Sequence, residues 1–284
     1  MIPILYCGND RIFEGLFLSA TSIARRTGEA LEVRVLTMDD SDANPAYRPI
    51  SEERVASLEC ALKRFHPENR AVRVDLSEKF FEAFGGGKNL KNSYTPYALL
   101  RLLADDPAVV PYDKAIYLDV DTMACRDIRE LWDIDIMDYE YGAVLDYMGT
   151  FWVAKDYCNS GVLLLNLAKI RETGMFGKCR ELIREKWFAM PDQSAIHRSA
   201  IARYTLPRRF NEQRGITGET VIKHFNKGIV WFPFHIYNVK QWQRDAVHKR
   251  LKITAFDDDY AFYDEFMKED AGREPAEAAS TART

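Results

Sequence analysis

The chain has 284 residues, 47% hydrophobic and 29% charged, a composition typical of a soluble globular protein with one large α/β domain or two small ones. Its formal net charge of −4 comes from interspersed acidic and basic residues without a basic block, which argues against nucleic acid as the main partner and against a polybasic membrane anchor. The five cysteines contain no Cys-x-x-Cys motif, so free thiols are expected rather than a disulfide framework or a zinc cage.

Apolar segments of strand length alternate with helix-like segments at the start of the chain. In chain order they predict a strand at 2–7, a helix at 13–26, a strand at 31–37, a helix at 51–65 and a strand at 71–75. Such alternation is typical of a parallel sheet with helices on both faces. Ligands bind to these sheets at the carboxyl ends of the strands, near a topological switch point.

The strand predicted at 114–118 ends in two acids, Asp119 and Asp121. Alternate residues of an extended chain point the same way, so the two carboxylates are expected to lie together. Paired oxygen ligands of this kind suit magnesium, manganese or calcium rather than zinc. The pair therefore predicts a site for a divalent cation, with a solvated loop carrying two acids by chance as the alternative.

The remaining segments continue the α/β pattern less regularly. Three glycines at 85–87 precede a helix predicted at 95–104, but they lack the spacing of a phosphate-binding loop and indicate a flexible loop. Further elements are predicted as strands at 141–145 and 161–165, a helix at 176–188, a helix that starts at 191 and a closing helix at 257–266.

No repeat and no clear linker divides the chain, which predicts one domain over residues 1–270. Residues 271–284, rich in Ala, Glu, Ser and Thr, are predicted to be a disordered tail.

Short polar groups lie near the predicted strand ends and helix starts. In chain order they are Tyr6 to Asp10, Tyr97 to Arg101, Asp119-Val-Asp121, Asn159-Ser-Gly161, Asp192-Gln193 and His224-Phe225. In this order they resemble glycosyltransferase family 8, the retaining enzymes that include bacterial lipopolysaccharide galactosyltransferases and glycogenin. The resemblance extends from residue 4 to about residue 242. Its most specific parts are Tyr-Leu-Asp119-Val-Asp121, Asn159-Ser-Gly-Val-Leu-Leu-Leu-Asn166-Leu, Pro-Asp192-Gln193-Ser-Ala and His224-Phe.

This resemblance implies a single Rossmann-like domain of the GT-A type with a mainly parallel central sheet. Within it, residues 1–125 are expected to form the nucleotide-binding half and residues 126–270 the half for the sugar and the acceptor. The resemblance also implies that Asp119, Asp121 and His224 bind manganese, or magnesium in its place, across the two phosphates of a UDP-sugar. A metal in that position stabilises the charge of the departing diphosphate. The residues implied to contact the donor are Tyr6, Asn9, Asp10, Arg101, Val120, Asn159 and Lys240.

Three further residues are implied to surround the transferred sugar. Gln193 is expected near the reacting carbon, Asp146 is expected to hydrogen-bond sugar hydroxyls, and Asp192 is expected beside them. Retaining glycosidases use a carboxylate nucleophile, but this family has no agreed equivalent. Attack from the same face, assisted by the departing phosphate, is the usual alternative.

The chain departs from the family pattern after His224. The family lysine that contacts phosphate follows the histidine closely, whereas here an aromatic insertion intervenes. Lys240 is therefore the predicted phosphate contact, with Lys227 as the alternative. His235 is the alternative third metal ligand, but the sequence around His224 fits the pattern better.

The predicted function is retaining transfer of glucose or galactose from UDP to a hydroxyl acceptor. The resemblance implies a bacterial surface glycan or glycolipid, such as lipopolysaccharide or capsule, as the acceptor, contacted by loops at 147–157 and 231–242. A phosphatase of the haloacid dehalogenase type is one alternative, although Met123 stands where that class has Thr or Val. A nucleotide-sugar binder without turnover is the other.

Localisation follows from the absence of two sequence features. No apolar run reaches the roughly 18 residues of a membrane helix, and the first residues lack the basic region of a signal peptide. We therefore expect a cytoplasmic protein, with peripheral association at the inner face of the membrane as a further expectation.

Overall fold

Strands and helices alternate at the start of the chain, as the sequence predicts. The structure is a computed structural model that describes residues 1–90, 95–232 and 234–271. The first elements are β1 (Ile2–Cys7), α1 (Phe13–Arg26), β2 (Leu31–Thr37), α2 (Glu52–Lys63) and β3 (Arg70–Asp75). Helix α2 begins after Ser51, whose hydroxyl accepts a hydrogen bond from the backbone N–H of Arg54 and so caps the first turn.

The later elements agree with the predicted ones in most places. They are α3 (Ser77–Phe84), a 3₁₀ helix (Pro96–Leu103), β4 (Lys114–Leu118), β5 (Thr122–Ala124), α4 (Arg129–Trp132), β6 (Tyr141–Leu145), α5 (Gly149–Trp152), β7 (Cys158–Asn166), α6 (Leu167–Thr173), α7 (Met175–Glu185), α8 (Pro191–Ser199), β8 (Arg203–Thr205), a 3₁₀ turn (Arg208–Phe210), β9 (Ile222–His224), β10 (Gly228–Trp231), β11 (Phe234–Tyr237), α9 (Arg244–Ala246), a π-helical turn (Val247–Leu251) and α10 (Asp257–Ala271).

Several details differ from the sequence-based expectations, and helix α7 ends at Glu185 rather than at the predicted residue 188. The helix predicted at 95–104 is a 3₁₀ helix, and β7 begins at Cys158, three residues before the predicted strand. Helix α10 extends five residues beyond the predicted end at 266 and includes Ala271, the first residue of the predicted tail. Residues 272–284, the rest of that tail, lie outside the described residues.

Seven strands form one central sheet in the order β3-β2-β1-β4-β7-β6-β8. Strands β3, β2, β1 and β4 run parallel, β7 is antiparallel to both of its neighbours, and β8 is parallel to β6. The prediction of a mainly parallel sheet is therefore confirmed, with β7 as the reversed strand. Because of this reversal, the start of β7 lies beside the carboxyl ends of β1 and β4.

Both faces of the sheet are covered by helices. Along β1, Ile4 packs into the hydrophobic cluster that includes α1 and α2, whereas Leu5 packs into the cluster that includes the 3₁₀ helix and α7. A strand buried on both faces is apolar at consecutive positions, which accounts for the apolar runs in the sequence. None of the helices in the described ranges combines the length and the apolar character required to cross a membrane.

A second, two-stranded sheet connects the end of β4 with a distant part of the chain. Strands β5 and β9 pair antiparallel, and Thr122 lies opposite His224 in this pairing. The backbone N–H of Phe225 also donates to the carbonyl of Asp121 at 2.7 Å. This pairing brings His224 to the predicted acid pair.

Candidate functional site

A cleft of about 590 Å³ opens where β1 and β4 end and β7 begins. This is the edge of the sheet at which parallel α/β proteins bind ligands. The cleft is lined by most of the residues that the sequence singles out: Asn9, Arg101, Asp119, Val120, Asp121, Asp146, Asn159, Asp192, Gln193, His224, Lys227 and Lys240.

Asp119, Asp121 and His224 form a compact group on the wall of this cleft. One ligand atom from each lies within 4.8 Å of the others. His224 Nε2 is 3.2 Å from an oxygen of Asp121 and 4.0 Å from an oxygen of Asp119. Two carboxylates and one imidazole suit manganese or magnesium, so the donor set fits the metal that the sequence implies.

Gly161 on β7 leaves the space that this group occupies. A Cβ atom at position 161 would lie 2.2 Å from His224 Cε1 and 2.9 Å from Asp119 Oδ2. The carbonyl of Gly161 accepts a hydrogen bond from the backbone N–H of Asp119 at 2.8 Å. Glycine is therefore required here because the group packs directly against the backbone of β7.

A chain of side-chain hydrogen bonds sets the orientation of His224. Asn159 Nδ2 donates to Asp146 Oδ2 at 2.8 Å, and Asn211 Nδ2 donates to Asn159 Oδ1 at 2.8 Å. Asn211 Oδ1 then lies 3.0 Å from Nδ1 of His224. A carboxylate only accepts, so each amide must present its oxygen to the next residue, and His224 Nδ1 must carry the proton. Nε2 then faces the carboxylates: it donates to Asp121 when the imidazole is charged, and it would offer its lone pair to a metal once that proton is lost.

The carboxylate at the start of this chain is fully engaged by the protein. Asp146 Oδ1 accepts from the backbone N–H groups of Met148 at 3.0 Å and Gly149 at 2.6 Å. Asp146 Oδ2 accepts from Asn159 and, at 3.3 Å, from Gln193 Nε2. A carboxylate offers about four acceptor positions, so these contacts account for all of them.

Arg101 lies buried beneath the acid pair. Its Nη2 donates to Asp119 Oδ1 at 2.9 Å. Its Nη1 donates to the carbonyl of Ser160 at 2.7 Å and lies 3.3 Å from Asp192 Oδ2. The guanidinium also lies 3.9 Å from the centre of the Tyr117 ring. Burial by itself would lower the pKa of Arg101, but the negative groups around it outweigh burial and raise that pKa. Arg101 is thus a permanent cation that holds Asp119 in place.

Asp192 and Gln193 are placed by the start of α8, which begins at Pro191 as predicted. The hydroxyl of Ser160 donates to Asp192 Oδ2 at 3.0 Å. The backbone N–H of Ser160 donates to Gln193 Oε1 at 3.1 Å. Both side chains are therefore tied to the first residues of β7.

Lys240 contacts the acid pair directly. Its ammonium donates to Asp121 Oδ2 and, at 3.0 Å, to the carbonyl of Phe225. Burial by itself would raise the pKa of Asp121, but the charges and hydrogen bonds of His224 and Lys240 outweigh burial and hold that pKa well below its usual range. Lys227 also lines the cleft, whereas His235, the alternative metal ligand, lines a different cavity.

Two residues of the predicted donor-contacting set do not line the cleft. Tyr6 is fully buried, and its hydroxyl lies 2.8 Å from Ser19 Oγ in the core. Asp10 accepts from the backbone N–H of Ser51 at 2.9 Å and pairs with Arg54 at 3.4 Å. Of this segment, Cys7, Gly8 and Asn9 line the cleft. Tyr6 faces the core because alternate residues of β1 point to opposite faces of the sheet.

Two residues of this site, Asn211 and Tyr117, are not predicted from the sequence. Asn211 stands in a loop without periodicity, and nothing in the sequence indicates that its amide reaches His224. Tyr117 reads as an ordinary strand residue, yet its hydroxyl donates to Asp119 Oδ1 at 2.8 Å. The position of Tyr117, two residues before Asp119 on the same side of a strand, is the one available signal.

Comparison with known protein families and sequences gives consistent matches. The model of the family described as Glycosyl transferase family 8 matches residues 3–197. Glycosyltransferase GlyA of Streptococcus pneumoniae is 34% identical over 102 residues, 36% of this chain and 14% of GlyA. Glycosyltransferase GlyF of the same organism is 31% identical over 119 residues, 42% of this chain and 28% of GlyF. General stress protein A of Bacillus subtilis is 24% identical over 226 residues, 75% of this chain and 74% of that protein. The matches span less than a third of GlyA and GlyF.

Solved structures with a similar fold extend over most of the chain. The galactosyltransferase LgtC, solved in complex with donor and acceptor sugar analogues, has a TM-score of 0.62 at 19% identity and covers 94% of this chain and 96% of its own. GlyE of Streptococcus pneumoniae has a TM-score of 0.61 at 18% identity, covering 86% of this chain and 60% of its own. At this identity the likeness shows the fold, which is the GT-A type that the sequence implies.

Proposed function

The chain belongs to glycosyltransferase family 8, and we propose that it transfers glucose or galactose from a UDP-sugar to a hydroxyl group of an acceptor glycan with retention of configuration. The observation that carries this proposal is the group of Asp119, Asp121 and His224 on the wall of the cleft. A bound manganese or magnesium ion supplies a Lewis acid for the departing diphosphate. The protein's own residues supply the remaining positive charge and the positioning of the sugar.

Lys240 is the proposed cation for the diphosphate. Its ammonium lies against Asp121, one of the residues that would hold the metal, so Lys240 would add positive charge where the diphosphate is proposed to bind. Arg101 is buried and paired with Asp119 and Asp192, which makes it a residue that positions these acids rather than a direct contact for phosphate. Lys240 is the more exposed of the two cations, and Arg101 is the buried one.

The transferred sugar is proposed to lie beside Asp146, Asp192 and Gln193, all of which line the cleft. Asp146 has its acceptor positions filled, and Asp192 is paired with the buried Arg101 at 3.3 Å. A carboxylate that acts as a nucleophile needs a free oxygen near the reacting carbon. The hydrogen bonding therefore disfavours Asp146 as a nucleophile, whereas the contacts of Asp192 with Arg101 and Ser160 both go to Oδ2. We propose same-face attack, assisted by the departing phosphate, rather than a covalent intermediate on Asp146.

The acceptor is proposed to approach over the predicted loop at 147–157. Trp152 and Val153 from this loop line the cleft, and Trp152 is 75% exposed. Exposed aromatic rings beside a cleft that also carries hydrogen-bonding groups are suited to stacking on sugar faces. We propose a glycan or glycolipid of the bacterial surface as the acceptor class, since this follows from the family resemblance.

Donor turnover by the purified protein tests this proposal. With Mn²⁺ and either UDP-glucose or UDP-galactose, we expect release of UDP and a raised melting temperature for the better donor. Asp121→Asn should reduce UDP release by about 100-fold or more, because it removes a proposed metal ligand. Asp138→Asn, at an exposed position outside the cleft, is the matched control and should leave the rate unchanged.

The alternatives predict different results in the same experiment. If no UDP-hexose is turned over, but a UDP-hexose raises the melting temperature, the chain is a binder without turnover. Hydrolysis of a generic aryl phosphate that depends on Asp121 would favour a phosphatase. Equal UDP release by the wild type and Asp121→Asn would contradict the proposed role of the acid pair.

A further inference from the structure

A second cavity, of about 880 Å³, lies next to the proposed donor cleft. Its walls come from residues 214–216, from strand β11 and from residues 250–255 before α10. Arg214 and Tyr237 line both cavities, so the two are neighbours. A molecule held in the second cavity can therefore extend into the cleft.

This cavity is lined by basic residues in a chain whose net charge is −4. Arg214, His235, Arg250 and Lys252 all line it, and none of the described residues on its walls is acidic. Arg250 and Lys252 are exposed, and neither has an ion-pair partner in the part of the chain that the structure describes. Clustered cations without acids among them attract an anion.

The backbone at Lys252 supplies an independent observation. Lys252 ends the π-helical turn in a left-handed conformation, with φ 58° and ψ 35°. Among the described residues it is the one non-glycine with a positive φ. A residue with a side chain is less stable than glycine in this conformation. Glycine is the usual residue at such a helix end. The strained backbone thus lies in the wall of this cavity, and backbone strain of this kind is concentrated at functional sites.

We propose that this cavity binds a phosphate or carboxylate group carried by the acceptor glycan, an inference that rests on the proposed function. The diphosphate of the donor has its own partners in the neighbouring cleft, namely Lys240 and the metal-binding group. We therefore assign an anion in the second cavity, which adjoins the cleft, to the other substrate. Cationic side chains form charge-assisted hydrogen bonds with such groups.

Binding of small sugars to metal-free protein tests the inference without the donor reaction. Ligand-observed NMR in EDTA would compare galactose 6-phosphate, galacturonate, galactose and inorganic phosphate. Wild type is expected to bind the two anionic sugars more tightly than galactose or inorganic phosphate. The double variant Arg250→Gln, Lys252→Gln should lose about tenfold or more in affinity for the anionic sugars, because each lost charge-assisted contact weakens binding.

Two further variants separate charge from structure. Lys249→Gln removes a neighbouring lysine that pairs with Asp245 at 3.4 Å and does not line the cavity, so it should bind the anionic sugars like the wild type. Lys252→Gly removes the charge and relieves the left-handed backbone. It should weaken binding while leaving the melting temperature equal or higher.

The outcomes separate this inference from the proposed function. The inference is overturned if galactose 6-phosphate binds the wild type and the double variant equally, if it does not bind the wild type, or if inorganic phosphate binds as tightly. UDP release from UDP-hexose without acceptor should be unchanged in all these variants. A wild type that binds the sugar phosphate but releases no UDP would overturn the proposed function, and the assignment to an acceptor would fall with it.

Discussion

His224 Nε2 and Asp121 Oδ1 lie 3.2 Å apart because β5 and β9 pair with Thr122 opposite His224. The register of this short pairing thus sets the distance between two of the three proposed metal ligands. Asn211 fixes the same imidazole from its other side. The imidazole is therefore contacted at both nitrogens, by Asp121 at Nε2 and by Asn211 at Nδ1.

The contact from Asn211 should tune metal affinity. Asn211→Ala removes the acceptor that keeps the proton on Nδ1 of His224, and we expect Mn²⁺ affinity to fall by about 10-fold to 100-fold. Titration of Mn²⁺ followed by electron paramagnetic resonance measures the affinity. Asn238→Ala, at an exposed position, is the control and should bind Mn²⁺ normally. Unchanged affinity in Asn211→Ala would show that the hydrogen-bond chain does not orient the ligand.

Gly161 should be essential for the geometry of the metal-binding group. In Gly161→Ala the new methyl group occupies the space of the His224 ring, so His224 must move and Mn²⁺ binding should be lost or weakened by about 100-fold. Gly28→Ala is the matched control, because no heavy atom lies within 4 Å of a Cβ at position 28. Thermal unfolding of each variant with and without Mn²⁺ measures its stability and its Mn²⁺ binding. A Gly161→Ala protein with the wild-type shift on adding Mn²⁺ would rule out the group as the metal site.

Lys240 and Lys227 should differ in their effect on turnover. Lys240→Met removes a cation that contacts Asp121, and we expect kcat/KM for the UDP-hexose to fall by about 10-fold to 100-fold. Lys227→Met should have a smaller effect, since Lys240 rather than Lys227 contacts the proposed metal-binding group. Steady-state UDP release measures both. A larger loss of kcat/KM in Lys227→Met than in Lys240→Met would indicate that Lys227 is the phosphate contact.

Cys7 should be chemically inert although it lines the cleft. Burial, partly offset by the charge of Arg101, raises the pKa of this thiol from 9.0 to about 12. The raised pKa keeps the group protonated at pH 8, where about one molecule in ten thousand carries the reactive thiolate. Iodoacetamide at pH 8 should therefore modify the exposed Cys60 long before Cys7, as peptide mass spectrometry would show. Faster labelling of Cys7 would mean that the cleft opens more than the structure shows.

The main strands and the acid pair could be predicted from the sequence, because burial on both faces leaves long apolar runs and Asp119 and Asp121 interrupt one of them. The start of α8 at Pro191 could also be predicted, since proline is favoured in the first turn of a helix. The role of Asn211 could not be predicted, because a loop residue that bonds to distant side chains leaves no periodic pattern. The placement of Tyr6 in the core also depends on which face of β1 borders the cleft, which a single sequence does not specify.

Strand β7 runs against its neighbours, and this direction determines how rigid one wall of the cleft is. In an all-parallel sheet, the residues at this edge would come from loops that follow the strands. Here Asn159, Ser160 and Gly161 belong to the strand itself, with Gly161 hydrogen-bonded to Asp119 across the sheet. The metal-binding group thus rests on regular backbone, and any displacement of this wall would break hydrogen bonds of the central sheet.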